Sequence, residues 1–308
     1  MQDAGGPPEI AMQSDAKPAA HDEAHLRQWI GRREHAQDIM TARHARCVAA
    51  TLDLAVDDWN DGAALPPLWH WTLFPPLYAT GAAGADGHAE RGGFLPPVAL
   101  PFRVWAGSQL QFGPALRVGD SVRRDSEIVD VRLRIGRSGA LCLITVRHRI
   151  ARLESDGRAA AVAAVTEDQT IAYRSSPAGA AAASAVTAPP AADLVQGFEP
   201  SPLLLFRYSA LTFNGHLIHY DRAYCSGHGY PDLLVHGPLQ ATLAAGCMAQ
   251  LQPQATLRTL SVKALAPLFA GQSCRCAAAR AADGRLEGWV MDSQGRVTMQ
   301  LAATAAPA

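Results

Sequence analysis

The stretch Phe213 to Asp221, FNGHLIHYD, places Asn214, His216 and His219 within six residues and threads Phe213, Leu217 and Ile218 between them. Two imidazoles and a carboxamide beside apolar side chains admit two readings. One is a site that handles a water molecule in an apolar pocket. An imidazole with an ordinary pKa of ~6.5 exchanges protons near neutral pH, and a carboxamide can hold a water by donating and accepting at once. The other is the polar start of a helix beside a core, with Asp221 as a helix-start residue. On a helix, His216 and His219 are three apart and share a face, while Leu217 and Ile218 turn elsewhere. Asn214 precedes them on the incoming loop and reaches the same water.

A second group of polar residues stands just downstream. His236-Gly237-Pro238 opens the run HGPLQATLAAGCMAQL, where Pro238 suits a first helical position. Leu239, Leu243, Cys247 and Leu251 recur every four residues, so the helix has an apolar face. Gly237 sits where helical N–H groups have no partner, where the dipole favours negative charge and where no Cβ blocks a ligand. His236 itself suits a cap. In the N-terminal half, Trp69-His70-Trp71 sets one histidine between two indoles. His70 can face a ligand or be a buried, hydrogen-bonded histidine.

The elements that must position these groups follow from periodicity and turn signals. The C-terminal half begins with a strand candidate, Leu203–Leu211, and a short helix around YDRAYCSG. The His236–Leu251 helix comes next, then four strand candidates: TLRTLSVKAL, QSCRCAAARA, LEGWVMDS and RVTMQLAAT. The N-terminal half has helical EAHLRQWIGRRE and ARHARCVAATLD, then strands at FRVWAGSQLQF, SVRRDSEIVDVRLRIG, ALCLITVRHRIARL and DQTIAYR. In the third of these strands Leu141, Leu143, Thr145, Arg147 and Arg149 share one parity and Cys142, Ile144, Val146, His148 and Ile150 the other, which predicts a strand with a buried end and a half-exposed end. Helix before antiparallel sheet, twice over, is an α+β pattern and suggests a duplicated module. The Ala/Pro-rich run Ser175–Asp193 cannot bury enough surface to order itself. The expected organisation is a disordered 1–21, an N-terminal module 22–174, a linker 175–197 and a C-terminal module 198–308.

Bulk properties exclude several function classes. The chain has 308 residues, is 48% hydrophobic and carries a formal net charge of −1, so nothing in its charge marks a nucleic-acid partner. Lys is nearly absent and Arg supplies almost all the positive charge. Six cysteines occur without a C-x-x-C pair or histidines at zinc-site spacing, so no metal is expected. No apolar run approaches the ~20 residues of a membrane span. The N-terminus lacks a basic start followed by an apolar block. The default expectation is a reduced, cytoplasmic protein.

The run FRYSALTFNGHLIHYDRAYCSGHGYPDLLVHGPLQATL resembles the MaoC-like acyl-CoA hydratase and dehydratase family. LPPLWHWTLF, RGGFLPPVALPFRVWAG and GRSGALCLITVRH extend the resemblance into the N-terminal half. It covers the chain from about Leu26 onward, linker excluded. Its closest branch is that of mitochondrial-type 3-hydroxyacyl-thioester dehydratases and bacterial mesaconyl-C4-CoA (3-methylfumaryl-CoA) and itaconyl-CoA hydratases. The resemblance implies a double hot-dog fold, each half a curved antiparallel sheet around a central helix, with the two sheets paired edge to edge. It implies a hydro-lyase that adds water to an α,β-unsaturated or methylene acyl-CoA, giving citramalyl-CoA in that branch. The alternatives are a 3-hydroxyacyl-thioester dehydratase of a fatty-acid-type pathway, a thioesterase and a silent acyl-CoA-binding module.

R-specific hydratases of this family carry Asp-x-Asn-Pro-x-His, with the Asp and His holding the catalytic water. Here His219 falls on the family histidine, Asn214 on the aspartate and His216 on the asparagine. Asn214 cannot be a general base near neutral pH, so the resemblance implies that histidine has taken over that task. His219 is expected as base and acid, Asn214 as orienting group, and His216 either as a neighbour that supports the base or as the base itself. Gly237 is the expected backbone donor to the thioester oxygen. His236, Tyr208, Trp69, His70, Trp71, Phe94 and Arg91 are expected substrate contacts, and Gly92–Pro97 part of the pocket wall. A carboxylate on the acyl group would need a cation, for which Arg91, Arg103 and Arg207 are candidates. No cofactor is expected beyond the coenzyme A of the substrate. One active site per chain is expected, in a monomer or a homodimer.

Overall fold

A computed structural model describes residues 22–136, 139–176 and 191–307. The expected disordered N-terminus and most of the expected linker, residues 177–190, lie outside the described residues. Ten strands form one sheet: β1 (Arg33–Ile39), β2 (Phe102–Phe112), β3 (Ser121–Gly136), β4 (Gly139–Arg152), β5 (Val165–Arg174), β6 (Leu194–Phe198), β7 (Ala255–Ala264), β8 (Cys274–Arg280), β9 (Leu286–Met291) and β10 (Val297–Pro307). Their order is β1-β3-β4-β5-β2-β7-β10-β9-β8-β6. All the strand pairs are antiparallel.

The two halves meet at β2 and β7, in register from Gly107↔Lys263 to Gln111↔Thr259. Pairing these strands covers two edges that would otherwise stay open. Gly107, at a bulge in β2, has φ +148, and a Cβ there would meet the Val262 carbonyl oxygen at 2.2 Å. The close approach at the junction therefore requires glycine. On β4 burial follows one face rather than one end: Cys142, Ile144, Val146 and Ile150 are buried along its length.

Five α-helices complete the described elements: α1 (Glu23–Arg27), α2 (Ala42–Thr51), α3 (Pro202–Thr212), α4 (Arg222–Gly227) and α5 (Gly237–Leu251). α5 crosses the C-terminal strands, touching β7 to β10 and β2. Its small residues Ala241, Ala244 and Ala245 are buried beside Leu239, Cys247 and Met248. Gly288 on β9 makes room for Met248, whose Sδ a Cβ would meet at 2.7 Å.

Among the described residues the N-terminal half has no helix of this length. There α2 packs against α3, and a 3-10 turn, Trp69–Thr72, with long connecting loops takes the place of a central helix. One apolar core nevertheless runs through both halves, from Val48 and Trp69 to Leu110, Leu205, Leu239 and Leu260.

Three sequence expectations need correction. Leu203–Leu211 is helix α3, not a strand. Ser201 caps it by accepting from the Leu204 N–H, Pro202 takes the first turn, and Leu205, Tyr208 and Ser209 form its buried stripe. The helical reading of EAHLRQWIGRRE stops at Arg27, and β1 begins at Arg33 after Gly31, whose φ is +86. The end of the expected linker is strand β6, which pairs with β8 from Leu194↔Ala278 to Phe198↔Cys274.

Candidate active site

The opening motif sits where α3 stops. Phe213 takes a left-handed conformation, φ +51, and the Asn214 N–H donates to the Ser209 carbonyl at 2.8 Å, which turns the chain back. The Asn214 Oδ1 accepts the His216 N–H at 3.0 Å. A 3-10 turn, Leu217–His219, follows, so the expected helix is a single tight turn. It sends Ile218 into the core and leaves both His216 and His219 on the wall of a large cavity. Asp221 caps α4 by accepting from the Tyr224 N–H at 2.9 Å, and the histidines stand on the cavity wall before it.

His219 is buried and its Nδ1 lies 2.7 Å from the Leu234 carbonyl oxygen. A carbonyl only accepts, so Nδ1 carries the proton and Nε2 keeps a free lone pair. Burial pushes the His219 pKa down to about 4, which leaves the ring neutral at pH 7. His236 stacks on it with centroids 3.5 Å apart and bonds Ser209 Oγ through Nε2 at 2.8 Å. His236 makes no side-chain cap. Its remaining nitrogen, Nδ1, is buried without a hydrogen-bond partner, and its pKa is lowered by burial first and by the neighbouring imidazoles second. The Tyr208 ring meets His236 edge-on at 5.0 Å. Asn214 keeps its amide N–H groups free of any hydrogen bond among the described residues and lines the cavity, so it can donate to a bound water or substrate oxygen.

Gly237 opens α5 against the same cavity, and its N–H has no partner within the helix. A Cβ at Gly237 would lie 2.7 Å from Trp105 Cε3, so glycine is what lets this indole pack over the helix start.

The N-terminal half closes the cavity, which measures about 860 Å³. His70, Trp71, Arg91, Phe94 and, from Gly92–Pro97, Gly93 and Leu95 line it. Trp69 does not: it is buried against Trp59, ring centroids 4.3 Å apart, inside the core. Alternation at a 3-10 turn sends only part of the WHW triplet to the cavity. His70 lies 3.5 Å from Glu167, a buried carboxylate that also accepts from Trp71 Nε1 at 2.9 Å and Ser108 Oγ at 2.5 Å. Burial raises the Glu167 pKa, but His70 first, then His148 and the Ser108 hydroxyl, outweigh it and hold the value down to about 2. His148 and Arg124 extend this polar patch along the cavity wall.

The three candidate cations part company. Arg91 is occupied by the carbonyls of Val98, Leu100 and Pro101, at 2.6, 2.5 and 2.9 Å, and sits over the Tyr173 ring. Arg207 lies outside the cavity, with its guanidinium 3.5 Å from the Ala50 carbonyl. Arg103 lines the cavity with no ion pair or hydrogen bond among the described residues, and its charge is felt at His88 and His216.

Two functional candidates were not visible in the sequence. Asp86 and His88, in the loop between the 3-10 turn Thr80–Ala82 and β2, reach across to His216. The His88 ring lies 4.2 Å from that of His216, and Asp86 Oδ2 lies 3.3 Å from His88 Nδ1. The only sequence signal was an acid and an imidazole two apart in a glycine-bearing loop.

The model for "hydroxyacyl-thioester dehydratase type 2" matches residues 68–270. The chain is 40% identical over 246 residues to mesaconyl-C(4)-CoA hydratase of Chloroflexus aurantiacus, covering 78% of this chain and 84% of that one. The chain belongs to the hydroxyacyl-thioester dehydratase type 2 family. As a family member it is an enzyme, a hydro-lyase of the acyl-CoA hydratase and dehydratase group. Solved structures agree on the fold of this dehydratase-family chain. A MaoC-like dehydratase superposes with a TM-score of 0.66 at 18% identity, over 92% of this chain and 99% of that one. A Mycobacterium tuberculosis protein described as having a double hotdog fold does so with a TM-score of 0.53 at 16% identity, over 90% and 96%. The architecture is thus an α+β double hot-dog. No helix among the described residues is long and apolar enough to cross a membrane.

Proposed function

We propose that the enzyme hydrates mesaconyl-C4-CoA (3-methylfumaryl-CoA) to citramalyl-CoA, with His219 as base and acid. The observation that carries the substrate class is Arg103. It is a guanidinium on the cavity wall, unpaired among the described residues and felt electrostatically at His216. Arg103 is half-buried, and a cation that faces the cavity without a protein partner is placed to pair with an anionic acyl group. In mesaconyl-C4-CoA the free carboxylate is attached to Cβ, the carbon that water attacks, so a cation beside the histidines is where it is needed. The charged patch of Glu167, Arg124 and their histidines argues the same way, since a long alkyl chain would desolvate it without compensation.

The geometry supports the following route. The Asn214 amide holds the water. His219 Nε2 takes one of its protons while the oxygen bonds to Cβ. The π electrons move through Cα onto the thioester oxygen, which the Gly237 N–H stabilises. His219 then returns the proton to Cα, so its single lone pair serves both transfers and nothing further is consumed. An oxyanion donor of this kind contributes ~2.7–4 kcal/mol.

The test is a hydration assay with mesaconyl-C4-CoA, itaconyl-CoA, crotonyl-CoA and a long-chain 2-enoyl-CoA side by side. Preference for a dicarboxylyl thioester supports the reading. Preference for the long chain would favour a 3-hydroxyacyl-thioester dehydratase of a fatty-acid-type pathway instead.

A further inference from the structure

Position 214 holds a carboxamide, and Asp221, the carboxylate of the same stretch, is turned to the start of α4, so this loop presents no carboxylate to the histidines. A base that takes a proton from water becomes a cation, and a buried imidazolium without a counter-charge is expensive. Burial lowers the pKa of His88, His216, His219 and His236 alike, so the protonated form is disfavoured throughout this cluster. The carboxylate that stands against it is Asp86, from the other half of the chain. One ring nitrogen each of His88 and His216 and one Asp86 oxygen lie within 4.8 Å of one another.

The loop that carries Asp86 is built to stay there. The Asp86 carbonyl accepts the Leu217 N–H at 3.0 Å, so it is bonded to the 3-10 turn that holds His219. Tyr78 Oη donates to the Gly87 carbonyl at 2.6 Å, and Tyr220 Oη donates to the Gly215 carbonyl at 2.9 Å. Gly87 has φ +87, and a Cβ there would lie 1.9 Å from the Gly215 carbonyl oxygen. The two loops therefore touch backbone to backbone.

Within its loop Asp86 makes two different contacts. Oδ1 accepts the His88 N–H at 3.0 Å, which closes a local turn. Oδ2 faces the His88 ring at 3.3 Å. His88 lines the cavity, whereas Asp86 stands behind it.

We propose that Asp86 is a positioning residue that acts through His88. Its carboxylate orients the His88 imidazole and supplies, from the N-terminal half, a negative charge felt at His216, the ring beside His219, that Asn214 does not provide. This rests on the reading of His219 as the proton carrier. It explains why a C-terminal motif without a carboxylate can work, and it makes the two halves one catalytic unit.

Asp86→Asn is the informative change. An asparagine keeps an Oδ1 acceptor for the His88 N–H, so the turn survives while the charge is lost. Turnover of mesaconyl-C4-CoA should fall by about tenfold to a hundredfold, a part of the ~10²–10⁴ that acid–base catalysis supplies, with KM little changed. The effect should be rescued in part by Asn214→Asp in the Asp86→Asn background. In the parent enzyme the same Asn214→Asp change would place a second carboxylate at the site and lower activity, so the two effects are non-additive. The imidazole nitrogen shifts of His88 report the orientation directly and need no substrate. They should move from an Nδ1–H tautomer in the parent toward a mixture in Asp86→Asn. Should Asp86→Asn melt early, His88→Gln leaves the turn acceptor in place and must show the same loss of turnover.

Unchanged turnover and unchanged His88 shifts in Asp86→Asn, with His219→Ala inactive, would overturn this inference and leave the function intact. Full activity in His219→Ala would instead overturn the function. Activity lost to a chelator and restored by a divalent metal would also overturn the inference, because the three groups would then be ligands.

Discussion

His219 lies flat against His236, with ring centroids 3.5 Å apart and planes within 17° of parallel. The Leu234 carbonyl holds the Nδ1 edge of His219 at 2.7 Å. Face and one edge are thus fixed, and the Nε2 edge alone is free to meet a water. The stack also removes solvent from one side of the ring, which keeps it neutral and ready to accept a proton.

Replacing His219 by Ala removes the proton carrier but not the cavity. kcat for hydration should fall by ~10²–10⁴, with KM close to the parent value. Steady-state kinetics with a circular dichroism check of folding decide it, and a variant with parent-like kcat would return FNGHLIHYD to a capped helix start beside a core. Asn214→Ala should cost less, since it removes an orienting amide and no proton carrier.

The buried imidazoles also make stability depend on pH. Burial holds the pKa of His148 and His219 down to about 4, against 6.5 for the free side chain. Between those values the unfolded chain binds protons that the folded chain does not. Stability is therefore full above pH 6.5 and is lost as pH falls toward 4, by about 1.4 kcal/mol per unit for each such group. Glu167 acts in a lower window: its folded pKa of about 2 gives stability that is present above 4.5 and lost as pH falls through 2. Melting temperatures measured at pH 7, 6, 5 and 4.5 should fall steadily, and a flat profile would contradict the burial of these rings as neutral groups.

Much of this was legible in the chain. The strands around Cys142–Ile150 alternate cleanly because one face is buried, and α5 announces itself through Pro238 and its four-residue apolar repeat. The motif at 214–219 was legible because its polar groups are adjacent in sequence. Other features were hidden for physical reasons. Leu203–Leu211 is apolar on several sides, with Leu203 and Phe206 exposed, so its period misled; the Ser201 cap and Pro202 were the better signals. β6 is a five-residue edge strand whose pairing is decided by β8 far along the chain. Asp86 and His88 owe their meaning to a backbone contact between Gly87 and Gly215, which no local pattern encodes. Trp69 and Trp71 differ only by which side of a 3-10 turn they occupy.

Gly237→Ala tests the start of α5. The new Cβ would sit 2.7 Å from the Trp105 ring, so the indole must shift away from the cavity wall or the helix start must move. Either change displaces the N–H assigned to the thioester oxygen, and kcat should drop by ~10²-fold or more, within the range for loss of an oxyanion donor. Binding of free coenzyme A, read by calorimetry, should change far less. A variant that keeps parent kcat would show that this N–H does not hold the developing charge.

The last prediction separates recognition of the acyl carboxylate from the chemistry. Of the candidates Arg91, Arg103 and Arg207, Arg103 is the one that lines the cavity with no ion pair or hydrogen bond among the described residues, whereas Arg91 is bonded to Val98, Leu100 and Pro101. Arg103→Met keeps much of the length and apolar stem of the side chain and deletes the charge. If Arg103 receives the carboxylate on Cβ, kcat/KM for mesaconyl-C4-CoA should fall by about a hundredfold. That corresponds to about 2.7 kcal/mol, in the range for a charged hydrogen-bonded contact. For crotonyl-CoA, which carries a methyl at that position, kcat/KM should hold or rise, because no charge then remains unpaired at the wall. The ratio of the two constants is the measurement, since a general loss of activity cancels in it. An equal fall for both thioesters would mean that Arg103 shapes the site without reading the carboxylate.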